Sequence, residues 1–185
     1  MTFAELVDQI RKERALDREI PDFDPENGNE QARYLFLLEA PGPKAVKTGH
    51  ISLSNPDPTA RNFRRQLGEA GIDNEDIAVW NVVPWYLGDE ERRKIRGATS
   101  ADIRASRKYL KSLVSSMPSL QCIVLIGGAA RKADVFLSRV TTARIISCHH
   151  PSAQALNANP EADEENIAVF SFMQRGGRGK RRTTT

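Results

Sequence analysis

The chain has 185 residues, 39% hydrophobic and 28% charged, enough apolar content to bury a core and too much for a disordered polymer. Its longest apolar run, near Cys122–Ile126, falls far short of the roughly 20 residues that span a bilayer, and Glu5 stands where a secretory leader needs a basic flank. Two cysteines, Cys122 and Cys148, exclude a disulfide framework and a four-cysteine metal site, so a cytoplasmic single-domain protein of net charge +3 is expected.

Residues 1–30 carry 4 basic and 9 acidic side chains, and the apolar spacing over 3–15 predicts an amphipathic helix. This stretch reads as an N-terminal helical extension of a domain covering 1–174. Residues 31–160 reverse the balance, with 18 basic side chains against 11 acidic, which is compatible with a polyanionic partner or with solvated faces. Four short, nearly continuous apolar runs follow: Tyr34–Leu38, 77–83, Cys122–Ile126 and Arg144–Cys148. Such runs suit strands covered on both faces. Helical patterns lie between them: 58–70 with Gly71 as a stop, 100–116 ending before Pro118, and 129–140 after Gly127-Gly128; another follows at 161–174. Strands alternating with helices predict an α/β fold, a three-layer α/β/α arrangement around a central four-stranded parallel sheet. The last eleven residues, with five basic side chains and no acid, read as a disordered basic tail, 175–185, able to tether nucleic acid without sequence preference. A basic surface at Arg104, Arg107, Lys108 and Lys111 either contacts such a partner or faces solvent.

In parallel sheets ligands bind beyond the carboxyl ends of the strands, and the unusual local sequences sit there. Glu39 follows the first run and is held by Ala40-Pro41-Gly42-Pro43; it is either a carboxylate that positions a water or a strand-end acid beside a tight turn. Asn81 interrupts an apolar run, and its amide suits either a base edge or a structural loop. His149 and His150 are adjacent, so on extended backbone their rings diverge, and with only His50 remaining a zinc site is not expected. Cys122 reads as a small buried apolar residue, and Cys148 is weakly placed as a nucleophile. Gly127-Gly128 lacks the phosphate-loop and dinucleotide patterns.

Taken in order, Glu39-Ala40-Pro41-Gly42, Asn81-Val82-Val83, Gly127-Gly128-Ala129 and His150-Pro151-Ser152 resemble the uracil-DNA glycosylase superfamily, nearest its families 4 and 5, over residues 34–170. The resemblance implies hydrolysis of the N-glycosidic bond to uracil, or a related deaminated base, in single- or double-stranded DNA. It implies that Glu39 positions the attacking water and that Ala40, Pro41 and Gly42 approach the base and sugar. Asn81 would read the uracil edge, and His150 would stabilise negative charge on O2. Ser152 would contact a phosphate, and the loop 153–156, through Gln154 or Leu156, would wedge into the duplex. The chain departs from those families in several places. It has two cysteines where they ligate an iron–sulfur cluster with four, so neither cluster nor other cofactor or metal is expected. Leu38 replaces a glycine, Lys44 follows the Pro-Gly-Pro turn, and no aromatic lies about a dozen residues after Glu39 to stack on the base. His50, Phe63 or Trp85 is left for that role, and a non-catalytic DNA-binding module on the same fold is the alternative.

Overall fold

The computed structural model describes residues 1–16, 19–89 and 91–176. Four five-residue parallel strands form its centre: β2 (Tyr34–Leu38), β4 (Ile77–Asn81), β5 (Cys122–Ile126) and β6 (Arg144–Cys148), in spatial order β4-β2-β5-β6. β2, β4 and β5 are buried almost throughout, as their unbroken apolar sequences require, whereas β6 is half-exposed at the edge. A second, two-residue parallel pair joins β1 (Asp22–Phe23) to β3 (His50–Ile51).

Register divides the helices between two faces. Phe36 lies opposite Val79, and Leu37 opposite Trp80, so side chains of these two pairs point to opposite sides of the sheet. On the Trp80 side, Phe23 stacks on its ring at 3.9 Å and Phe3 stacks on Phe23 at 4.0 Å, which ties α1 (Phe3–Arg14) to the sheet. α1 starts on a Thr2–Glu5 capping box and buries Phe3, Leu6, Val7 and Ile10 on one stripe. It packs against α4 (Ser100–Ser115), capped by Thr99 and Asp102. On the Phe36 side, Phe63 of α3 (Pro58–Glu69) and Phe170 of α8 (Ala162–Gly176) meet the Phe36 ring edge-on, at 5.2 and 5.4 Å. The three layers predicted from the alternation are therefore present, and the N-terminal extension is part of one of them.

Three local readings need correction. The second run ends as a strand at Asn81, not residue 83, although Val82 and Val83 still donate to the Leu38 and Glu39 carbonyls at 2.8 and 2.9 Å. The helix expected over 129–140 is instead two short pieces, α5 (Gly127–Arg131) and α6 (Asp134–Leu137), because Gly127 at φ +80 turns the strand directly into helix. The segment expected as a loop that wedges into a duplex is helical: α7 (Ala153–Ala158) begins where the Ser152 hydroxyl accepts the Ala155 N–H at 3.3 Å. Sequence reading also missed α2 (Pro43–Thr48), a single turn and a half between Gly42 and Gly49. α8 continues to Gly176, and the remainder of the expected basic tail, 177–185, lies outside the described residues. Among the described residues, no helix is long and apolar enough to cross a membrane.

Candidate active site

The chain runs from β2 to β4 on one side of it, then crosses to β5 on the other, so the sheet's switch point lies at the carboxyl end of β2. A cavity of about 300 Å³ opens there. It is lined by Ala40, Pro41 and Gly42, by Leu38, Val79 and Asn81, and by Phe63 and His150. Leu38 lies opposite Asn81 in register, which puts the amide on the same face as α3. Of the four segments expected from sequence to share one rim, three line this cavity, at Ala40–Gly42, Asn81 and His150, and Gly127 of the fourth lies against His150.

Asn81 is 2% exposed, and its Nδ2 has no hydrogen-bond partner among the described residues. A buried amide N–H left unpaired costs about 1–3 kcal/mol, so the group is stabilised by any acceptor that enters the cavity. His150 faces the same space. The Ser152 N–H points at its Nδ1 at 3.2 Å, so Nδ1 accepts and the neutral ring carries its proton on Nε2. Burial pulls its pKa below the ordinary value, with Glu39 and Asp57 pulling the other way. At neutral pH the ring is thus an uncharged donor. Gly127 makes room for it: a Cβ there would stand 3.3 Å from the His150 Cβ, on backbone already at φ +80.

Glu39 lies beside this cavity at the end of β2. Its Oε1 accepts the Ala98 N–H, and a Cβ on Gly97 would come within 3.3 Å of the same oxygen. One carboxylate oxygen is therefore held by the segment leading into α4, and the other is left for a further partner. Nothing in the spacing of residues 97 and 98 predicted that contact.

Other sequence candidates fall elsewhere. His50 is not on the cavity: successive residues of an extended strand alternate, so Ile51 turns inward while His50 turns toward a groove with Asp24, Glu26 and Ser54. Trp85 is not on the cavity either; it is buried against Tyr109 with the Arg14 guanidinium 3.9 Å above its ring. Phe63 alone of the three stacking candidates lines the cavity, together with Ile51 and Leu53, while also serving the core. Asp57, overlooked in the sequence, lines it too and caps α3 through the Ala60 N–H; its place before Pro58 was the available signal. Ser152 sits at the rim as the α7 cap, with Gln154 exposed and Leu156 half-buried on that helix. The basic residues of α4 include Lys108, which pairs with Glu13, and Arg107, 5.4 Å over Phe136.

His149 points away and bonds Glu165 at 2.7 Å. Cys148 is buried, which pushes its thiol up to about 12, so it is protonated and no nucleophile. Cys122 and Cys148 occupy opposite ends of neighbouring strands, Cys122 opposite Arg144 and Cys148 opposite Ile126. Four residues of strand, roughly 13 Å, separate those ends, so the two sulfurs do not fit one iron–sulfur cluster.

Comparison with known proteins gives the family and the fold. The profile of the uracil DNA glycosylase superfamily matches residues 25–171. A candidate uracil DNA glycosylase from Methanosarcina acetivorans, determined by solution NMR, shares the fold at a TM-score of 0.56 and 18% identity, covering 84% of this chain and 99% of its own. The crystal structure of a mutant UNG from Nitratifractor salsuginis aligns at 0.47 and 18% identity, over 78% of this chain and 74% of its own. Among curated proteins, none matches the sequence.

Proposed function

The chain belongs to the uracil DNA glycosylase superfamily, and from that premise we propose that it hydrolyses the N-glycosidic bond of uracil, or of a related deaminated base, in DNA and leaves an abasic site. The observation that carries this reading is the unpaired, buried Asn81 amide facing the same cavity as the His150 donor. The Asn81 Nδ2–H donates to uracil O4 while its Oδ1 accepts N3–H. Cytosine presents the opposite polarity at both positions, and its entry would leave buried groups unpaired.

A base inside a duplex is out of reach of such a cavity, so the nucleotide is extruded at a cost of a few kcal/mol. Bond cleavage leaves positive charge on the sugar and negative charge on the base. The His150 Nε2–H, already oriented by Ser152, stabilises the charge growing on O2, and being neutral it gives up no salt-like contact in the ground state. The Glu39 oxygen not held by Ala98 orients a water toward the sugar. Ser152 and Lys44 at the rim lie where phosphates flanking the extruded nucleotide would run, and Gln154 or Leu156 on α7 fills the space it leaves.

One observation favours a second reading. The base would be sandwiched by Ile51, Leu53 and Phe63, with no aromatic at the place where the superfamily likeness predicts one. That fits a module that binds damaged DNA without efficient chemistry. Single-stranded and duplex oligonucleotides carrying uracil, hypoxanthine or xanthine separate the two. Alkali-labile breaks at the modified position support the glycosylase; binding without breaks supports the module. Neither breaks nor binding overturns both.

A further inference from the structure

Strand β6 has a neighbour on one side only, so the main chain leaving it beyond Cys148 has no ladder to continue. Asn166 of α8, 0% exposed, takes that place. Its Oδ1 accepts the His149 N–H at 2.8 Å, and its Nδ2 donates to the His149 carbonyl at 3.1 Å. One carboxamide supplies both bonds that an adjacent strand would have made. The same Nδ2 reaches the Gln66 Oε1 at 3.3 Å, and Gln66 donates to Asp163 at 2.8 Å, which also receives Arg65. Past the histidine, Asn62 of α3 donates to the Pro151 carbonyl at 3.0 Å. The peptide groups of His149 and the Pro151–Ser152 peptide, on either side of His150, are thus held by side chains from two helices, and its ring by the Ser152 N–H.

We infer that Asn166 and Asn62 are positioning residues, which set the direction of the His150 imidazole by holding the main chain at His149 and Pro151. Neither touches the cavity. Their effect passes through a turn in which, among the described residues, the Ser152 N–H is the hydrogen bond that fixes the His150 ring against a shift of the backbone. The inference rests on the role given above to His150, but its structural half is independent of that role.

The test uses full-length protein labelled with ¹⁵N at histidine. In the wild type, the His150 ring should show an unprotonated Nδ1 and a protonated Nε2. In Asn166→Ala and Asn62→Ala the ring should exchange between tautomers as the Ser152 contact loosens. Single-turnover release of uracil should fall roughly 10- to 100-fold in Asn166→Ala, by analogy with the loss of outer-shell orienting groups, and by a smaller factor in Asn62→Ala, with KM for the oligonucleotide nearly constant. Asn166→Asp keeps the acceptor for the His149 N–H but sets an oxygen against the His149 carbonyl, so it should recover little of the rate. Asn62 is half-buried at a helix surface, so its variant folds if Asn166→Ala does not. A His150 spectrum and a rate equal to wild type in folded Asn62→Ala and Asn166→Asp would overturn the inference. If wild-type protein released no base, the functional reading would fail, while the ring spectra would still decide whether these residues orient His150.

Discussion

The carboxyl end of β4 and the inner face of α8 each bury an asparagine, at 2% and 0% exposure, and they treat it in opposite ways. Asn166 makes bonds to His149 and Gln66 with both ends of its amide. The Asn81 Nδ2 makes none among the described residues. Burial and residue type are the same; the accounting of partners is not. A satisfied buried amide stabilises the fold, whereas one left open beside a cavity lowers stability and gains only when a ligand arrives. The flank of α3 and α8 is built for rigidity, and the rim it supports is left incomplete.

The sharpest way to break that contrast is at Glu39, which belongs to the rim. Glu39→Gln keeps the size and the acceptor for Ala98, and release of uracil in single turnover should fall by about 10²- to 10⁴-fold with little change in thermal midpoint. A rate near wild type would remove Glu39 from the chemistry. Next comes the exchange of roles between the two asparagines. Asn81→Leu should lower base release by roughly 10²-fold, the loss expected for one preorganised donor, and leave stability unchanged or higher. Asn166→Leu should instead cost about 1–3 kcal/mol in urea unfolding, because it strands the His149 N–H and carbonyl. Equal losses of stability in both variants would end the distinction.

Titration sharpens it further. Burial holds His150 below its ordinary value of 6.5, so the unfolded chain takes up a proton more readily than the folded one. The stability associated with the neutral buried ring is complete above that value and is lost as pH falls below it. Wild-type protein should therefore lose stability relative to His150→Gln as pH falls below about 6.5, read as converging urea midpoints. A constant gap would contradict the direction of the shift. The smallest effect belongs to the exposed partner of the other histidine. Glu165→Ala breaks the half-exposed contact with His149, costs less than about 1 kcal/mol, and leaves base release as it was.

Much of this contrast was legible in the sequence. The apolar runs of β2, β4 and β5 require burial on both faces, and residues that break such runs or follow them gather at one rim. Adjacent histidines on extended chain had to diverge, and they do. What stayed hidden depends on partners far away in the chain. The Ala98 N–H on Glu39 spans 59 residues and the Asn166–Gln66 bond 100, and neither leaves a periodic trace. His50 was misplaced because a two-residue strand has too little length to show which of its faces is inward. The segment 153–156 reads as a loop until its cap, Ser152, is seen to turn it into helix. Phe63 shows the limit of pattern reading, since its helical spacing announces a core residue, and only the family resemblance made it a stacking candidate.

The position of β6 at the edge of the sheet has a consequence for when the site exists. Glu39 follows and Asn81 ends strands that are buried and pair side by side, but His150 follows a half-exposed strand and is secured by α8. Elements with few buried contacts open first and close last. The amides of β6 should exchange with solvent faster than those of β2 and β5. The backbone at His149 is then held only while α8 is docked.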